Sequence, residues 1–520
     1  MSRIAELAKG GLRRGRWTVA VLAALASLFA SPGAAQAAPR KQPNVIFILV
    51  DDLRYDAIGV LDPRLKTPNI DRLAKEGVLY RNAFVTTSLC SPSRATILTG
   101  RSARNHRIVG NEEPEPEGTV FFPSHLQRAG YRTAMIGKWH MGHGDHPRAG
   151  FDRWVSFPGQ GVYLPSEAPD GVQMLNVDGR EVPQKGYITD ELTDYAIDWL
   201  GKDDKRPFFL YLSHKGVHEV FTPAERHRGQ YADLAVTTPP SATPAPGTVI
   251  PRWVTTQRNS WHGLDYPYYG ERDLTALRRD YHATLSAIDD GIGRLMQTLR
   301  ARKLDRDTVI FFMGDNGFLF GEHGLIDKRN AYEESMRVPL IAWAPGLLPA
   351  GRQEEAIVAN LDIAPTVLDL AGIAAPAEYE GASLMKLVRG TPGQAPWRSH
   401  LIYEYYWEFA LPHTPTTFAI RTDRYKYVTY HGIWDADELF DLKADPGEQR
   451  NLIFDSKHAP IRNRLRDLLY SEIRNGAGAR VVPFAPKNRD GRVYRDADGP
   501  GPGDFPAQWL RKRKSESAPQ

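Results

Sequence analysis

The sequence holds a single cysteine, Cys90, among 520 residues. That excludes an internal disulfide framework and leaves the thiol as a buried bystander, an intermolecular link or a reactive group. No internal repeat runs along the chain, which excludes a solenoid or propeller built on a short period. Long apolar runs are scarce as well. The uncharged stretch Trp17–Ala30 is too short to cross a bilayer comfortably. It follows Arg13, Arg14 and Arg16 and precedes the small-x-small sequence Ala35-Gln36-Ala37, so residues 1–37 read as a cleaved export signal. The expected mature chain starts near Ala38, is periplasmic or secreted, and has no stable membrane anchor. Arg13-Arg14 leaves the Sec and twin-arginine routes both open.

A charge of one sign is also missing. The chain has 66 Lys and Arg against 62 Asp and Glu. Five of those basic residues and one acidic residue lie within 1–37, leaving 61 of each sign in the rest. No basic surplus remains to attract nucleic acid, and none is expected as a partner. Arg511 to Lys514 is a lone basic patch on a polar tail, the pattern of a solvated end.

What is present is a set of apolar runs with polar ends. Asn44–Val50 runs into Asp51-Asp52, and Tyr131–Ile136 is followed by Lys138 and His140. Phe208–Leu212 is followed by His214 and His218, and Thr308–Met313 by Asp315-Asn316. Near-continuous apolar runs mark strands covered on both faces. Amphipathic stretches at 190–200 and 274–304 lie between them. The alternation predicts an α/β fold: a large, mostly parallel sheet sandwiched by helices. Ligands bind beyond the carboxyl ends of such strands, where all four runs place charged groups.

Residues 230–273 break this pattern with Pro239, Pro240, Pro244, Pro246 and Pro251, then Trp253, Trp261, Tyr266, Tyr268 and Tyr269. Aromatics need something to pack on, so an ordered insertion or lid is expected. A catalytic domain is expected over 38–390, with a helix at 362–371. Short strands at 418–421 and 425–430 indicate a small α+β subdomain with an antiparallel sheet over 391–487. A polar tail completes the chain from 488 to 520.

Cys90-Ser91-Pro92-Ser93-Arg94 precedes Ala95-Thr96-Ile97-Leu98-Thr99-Gly100. With Gly137-Lys138-Trp139-His140, Gly314-Asp315-Asn316-Gly317 and Glu438-Leu439-Phe440-Asp441-Leu442 in the same order, the chain resembles the formylglycine-dependent sulfatases of the alkaline phosphatase superfamily. The resemblance spans about 44–452, and four separate motifs make it specific where a lone C-x-P-x-R would not. It implies that a formylglycine-generating enzyme oxidises Cys90 to an aldehyde (3-oxoalanine). The hydrated aldehyde offers two hydroxyls on one carbon, one to attack sulfur and one to expel sulfate.

Asp51, Asp52, Asp315 and Asn316 are hard oxygen ligands at strand ends. By resemblance they hold Ca2+ together with residue 90. Arg94, Lys138 and Lys328 are then expected to surround the nucleophile and the sulfate with positive charge. The resemblance gives His140 the role of deprotonating the remaining hydroxyl during sulfate release. It gives His218 that of binding sulfate and protonating the leaving alcohol, with His214 as its rival. Val217 and Val220 stand where the family usually has prolines.

Arg104-Asn105-His106 and Tyr211-Leu212-Ser213-His214-Lys215 resemble features of sulfatases acting on N-acetylglucosamine 6-sulfate and related glycan units. The aromatic and acidic stretch 403–408 suits stacking on a sugar face. Asn105, His106, His214, Trp407, His413 and Arg421 are the expected substrate contacts. Aryl sulfates compete as substrates. A phosphonate or phosphate monoester hydrolase and a non-catalytic glycan-binding protein are the readings from other classes.

Overall fold

Strand β1 (Asn44–Val50) shows why its sequence is apolar at every position. Ile46, Ile48 and Val50 pack into one hydrophobic layer, and Val45, Phe47 and Leu49 into another on the opposite face. Side chains alternate along a strand, so covering both faces requires both sets to be apolar. The computed structural model of the chain describes residues 42–475 apart from 143, 261, 266–272, 391–395 and 433–435, with the backbone of 495–496 and 510–511. The chain divides into two units, Met1–Gln42 and Pro43–Gln520, and every element named below belongs to the second. The expected export signal, most of the 488–520 tail, Trp261, Tyr266, Tyr268 and Tyr269 lie outside the described residues.

The other strands of the large sheet are β2 (Val78–Phe84), β3 (Arg132–Gly137), β4 (Arg153–Ser156), β5 (Met174–Val177), β6 (Arg180–Pro183), β7 (Phe208–His214), β8 (Thr308–Gly314), β9 (Leu340–Trp343) and β10 (Arg352–Ala359). Their order is β10-β2-β9-β8-β1-β7-β3-β4-β5-β6. The run from β8 to β4 is parallel, as expected. β9 runs antiparallel between β2 and β8, and β5 and β6 extend the far edge antiparallel. The sheet is therefore mixed.

Helices α1 (Pro68–Glu76), α3 (Ile188–Gly201) and α4 (Leu274–Ala301) cover one face; α2 (Cys90–Thr99) and α5 (Ile363–Leu370) cover the other. A second, antiparallel sheet follows in the order β11 (His400–Tyr405), β12 (Thr417–Thr422), β13 (Tyr425–Tyr430) and β14 (Glu438–Asp441). Helix α6 (Ala459–Asn475) packs on it through Leu465 and Leu469. Trp253, from the proline-rich stretch, is buried against Tyr430 of this sheet, ring centroids 5.3 Å apart.

Register decides what the strand ends present. Val50 of β1 pairs with Gly314 of β8 on one side and His214 of β7 on the other, and Gly137 of β3 pairs with Ser213. Asp51, Asp315, Lys138 and the 214–218 turn therefore leave the sheet at one level. Gly137 has φ +120°, and a Cβ there would lie 1.8 Å from the Ser213 carbonyl oxygen. Only glycine lets β3 and β7 approach this closely just before Lys138.

Asp289 of α4 ties the helical layer together. It accepts from the backbone N–H groups of Asn69 and Ile70, at 3.0 and 2.8 Å, and from the Asn69 amide at 2.9 Å. These bonds satisfy the first turn of α1 from a position more than two hundred residues away. Asp289→Ala is expected to cost about 2 kcal/mol of unfolding free energy by losing this buried cap. Asp290→Ala, which breaks exposed pairs to Arg226 and His227, is expected to cost less than about 1 kcal/mol. Denaturant titration of both variants checks the contrast; equal losses refute the capping role.

Candidate active site

Cys90 is the first residue of α2 and is fully buried. Its Sγ lies 3.3 Å from Asp51 Oδ1, 2.9 Å from Lys328 Nζ and 3.8 Å from Lys138 Nζ. One turn along the helix, Arg94 reaches back under the strand ends. Its NH2 is 2.7 Å from Asp315 Oδ2 and 3.4 Å from Asp51 Oδ1. Its NH1 donates to the Lys138 carbonyl at 2.8 Å and to Ser213 Oγ at 2.6 Å. Lys138 pairs with Asp51, and Lys328 with Asp52. Asn316 donates to Asp52 Oδ1 at 2.7 Å, and the Asp52 N–H donates to Asp315 Oδ1 at 3.0 Å. His218 Nε2 stands 3.8 Å from Asp52 Oδ2. His140 Nδ1 is 3.5 Å from the hydroxyl of Ser91, the residue after Cys90. Asp52 and His140 both hold left-handed backbone, at φ 57° and 51°, a costly conformation for non-glycine residues and one concentrated at functional sites.

The electrostatics follow from three carboxylates and three cations out of water. Burial pushes Asp51 up, but Lys138 and Arg94 outweigh it and hold its carboxyl well below the usual range. Asp315 goes the other way, raised by burial and by the Asp51 charge. Burial, then Lys138, hold both His140 and His218 well below the usual imidazole range. Burial and the Asp51 charge push the Cys90 thiol up to about 12, so at neutral pH an unmodified Cys90 carries almost no thiolate.

Oxygens of Asp51, Asp52 and Asp315 converge within 4.8 Å of one another. Asn316 Oδ1 is buried without a hydrogen-bond partner. Clustered carboxylates with an unsatisfied amide oxygen form the hard-oxygen donor set that a divalent cation takes.

The expected substrate contacts fare differently. β7 alternates, so Ser213 faces Arg94 while His214 turns to the opposite face, where it feels the charge of Asp190 on α3. His214 is buried, and burial pulls it down to about 4. Arg421 is buried too, stacked on Phe84 and paired with Glu333. His106 packs along α2, its Nε2 3.1 Å from Thr96 Oγ1. Asn105 bonds Ser102 and Glu380 and lines a cavity of about 510 Å³ beside Thr99. Thr99 ends α2 while Cys90 begins it, and ten residues span about 15 Å. Trp407 is half-buried, with its indole N–H on the Pro412 carbonyl; His413 is exposed.

From the 403–408 stretch it is Glu408 that reaches toward the nucleophile. It accepts from Arg329 Nε at 2.7 Å and from the Asn111 N–H at 3.4 Å, and Asn111 Oδ1 accepts from the Ser91 N–H at 3.1 Å. Gln160 bonds Lys138 Nζ. Asn111 and Gln160 sit in loops without a motif and escaped the sequence reading, whereas Glu408 was marked only as part of the 403–408 stretch. Arg329 could have been found as the neighbour of Lys328.

A mixed α/β sandwich gathering these groups at its strand ends defines a hydrolase of the alkaline phosphatase type. Comparison with known proteins narrows the class. The family model described as Sulfatase matches residues 43–373, and that described as N-sulphoglucosamine sulphohydrolase, C-terminal, matches 321–475. The chain is 34% identical to the N-acetylglucosamine-6-O-sulfatase of Bacteroides thetaiotaomicron, over 82% of this chain and 86% of that protein. It is 30% identical to the choline-sulfatase of Rhizobium meliloti, over 79% and 82%. A solved structure in complex with its substrate D-glucosamine-2-N,6-O-disulfate superposes with a TM-score of 0.76 at 31% identity, covering 84% of this chain and 98% of that one. The chain belongs to the sulfatase family and is a sulfuric ester hydrolase.

Arg94→Ala leaves Asp51 and Asp315 facing each other without their shared counter-ion. Breaking a buried pair this way is expected to cost about 3–5 kcal/mol. Denaturant titration of the variant checks this; a loss below about 1 kcal/mol refutes a structural role for the guanidinium.

Proposed function

We propose that the protein hydrolyses a sulfate ester on a sulfated carbohydrate, an N-acetylglucosamine 6-sulfate or a related glycan unit, with residue 90 as formylglycine and calcium as the bound cation. The observation that carries the reading is the setting of Cys90. A thiol raised to about 12 is a poor nucleophile at neutral pH, yet it sits between Asp51 and Lys328 at the head of a helix. As a hydrated aldehyde, residue 90 carries two hydroxyls, one to bond sulfur and one to release it by re-forming the carbonyl. The names of the glucosamine-sulfate relatives support the sugar.

A divalent cation held by Asp51, Asp52, Asp315, Asn316 and residue 90 supplies Lewis-acid charge for the sulfate oxygens. Arg94, Lys138 and Lys328 add fixed positive charge in a water-poor site, where each is worth several times its value in solvent. His218 gives a proton to the departing alcohol oxygen as the sulfur–oxygen bond to it breaks. His140 takes the proton of the remaining hydroxyl on residue 90 as sulfate leaves.

The further organisation is part of the same proposal. Residues 1–37 direct export to the periplasm or beyond, 38–390 form the catalytic domain and 391–487 the C-terminal subdomain. A formylglycine-generating enzyme acts on Cys90 before folding. Among the described residues no helix is long and apolar enough to cross a membrane.

A second reading has its own support. The phosphonate monoester hydrolase of Agrobacterium radiobacter superposes with a TM-score of 0.66 at 26% identity, over 82% of this chain and 95% of that one. One experiment separates the two. Purified protein, with residue 90 verified by mass spectrometry, is assayed on defined sugar sulfates, an aryl sulfate, an aryl phosphate and an aryl phosphonate. Sugar sulfates are expected to be the best substrates, chelation to abolish turnover, and calcium to restore it. Preference for the phosphorus esters, full activity with unmodified cysteine, or indifference to chelation removes the corresponding part.

The histidine roles give a kinetic prediction. His140→Ala is expected to release about one alcohol per site and stall with sulfate on residue 90, a burst without turnover. His218→Ala is expected to show no burst, with a larger loss on alkyl than on aryl sulfates because a phenolate needs less protonation to leave. Rapid-quench assays with intact-mass analysis read both. A burst from His218→Ala and none from His140→Ala reverses the assignments.

A further inference from the structure

The turn after β7 carries His218, and its backbone is held by two side chains outside the proposed chemistry. The Tyr163 hydroxyl donates to the His218 carbonyl. Lys215 Nζ donates to the Glu219 carbonyl at 3.0 Å and stands 4.6 Å from the centroid of the Tyr163 ring. His218 Nδ1 lies 3.0 Å from the same Glu219 carbonyl. A carbonyl only accepts, so Nδ1–H donates to it, and in the doubly protonated ring that acts as the proton donor the second N–H, on Nε2, is the one facing Asp52 and the site.

Tyr163 and Lys215 are both buried, at 0% and 2% exposure. A buried ammonium costs several kcal/mol unless it is well paired. Among the described residues Lys215 shows no carboxylate within ion-pair distance; a carbonyl oxygen and an aromatic face receive its charge. Burial and the nearby Lys138 pull it down to about 8. A methionine would fill the same space without that cost. The arrangement makes sense if the direction of the Glu219 carbonyl matters.

We propose that Tyr163 and Lys215 are positioning residues for His218, fixing the His218 and Glu219 carbonyls so that Nδ1 is occupied and Nε2 is aimed into the site. The proposal rests on His218 as the proton donor to the leaving group. Without the clamp the Glu219 carbonyl turns, Nδ1 loses its acceptor, and the ring samples orientations in which Nε2 faces away.

The test uses the mature, metal-loaded enzyme carrying Lys215→Met or Tyr163→Phe. kcat/KM is measured on a nitrophenyl sulfate and on the best sugar sulfate, with residue 90, metal content and thermal midpoint checked alongside. Each variant is expected to lose about 10- to 100-fold on the sugar sulfate and less than about threefold on the aryl sulfate. Tyr163→Phe removes one oxygen and keeps the ring under Lys215, so it serves if Lys215→Met fails to fold. Equal losses on both substrates, or none on either, overturn the clamp. His218→Ala distinguishes the levels. A leaving-group-dependent loss there with a flat response in the two clamp variants rejects the clamp alone. A flat response in His218→Ala rejects the proton-donor role and the clamp with it.

Discussion

The Arg94 guanidinium, walled between Asp51 and Asp315 with no exposed surface, is the contact on which the rest of the site depends. Three carboxylates and three cations share this dry interior. None could be accommodated alone, since an uncompensated buried charge costs several kcal/mol. The site is thus a balanced ionic lattice in miniature, and its balance is set by helix α2 pressing Arg94 against the ends of β1 and β8. A divalent cation would leave an excess of positive charge, which suits a site that must receive an anion.

The central sheet was legible because its strands are covered on both faces, and that leaves continuous apolar runs that no other local structure explains as well. The antiparallel β9 and the edge strand β10, parallel to β2, were not legible. β9 is four residues long, and β10 begins as alternating polar sequence, Arg352-Gln353-Glu354-Glu355, on an edge. Edges carry weaker patterns than centres because only part of their surface is buried.

The same logic divides the candidate residues. Asp51, Asp52, Lys138, Asp315 and Asn316 follow directly on buried runs, so their direction is set by the sheet. His214 and His218 could not be separated by type, only by register: β7 continues through His214, and alternation turns that side chain to the helix face. Arg421 and His106 looked available because charge and imidazole usually stay wet. Here Glu333 and Thr96 neutralise that preference from segments far away or on an adjoining helix, and no local sequence records such a partner. Gln160, Asn111 and Glu408 arrive on loops, where position is fixed by tertiary contacts alone.

The strand order carries a consequence for the timing of synthesis. β1 lies between β7 and β8, both of which are made long after α2. At about 5–20 residues per second, the roughly 220 residues from Cys90 to β8 take on the order of 10–45 s to emerge. Throughout that interval neither the Asp315 side of the wall nor Lys328 exists, and position 90 cannot yet be enclosed. The topology therefore builds a delay into biogenesis, during which the Cys90 thiol stays open to solvent. Once β8 docks, that interval is over, and the thiol lies buried between Asp51 and Lys328.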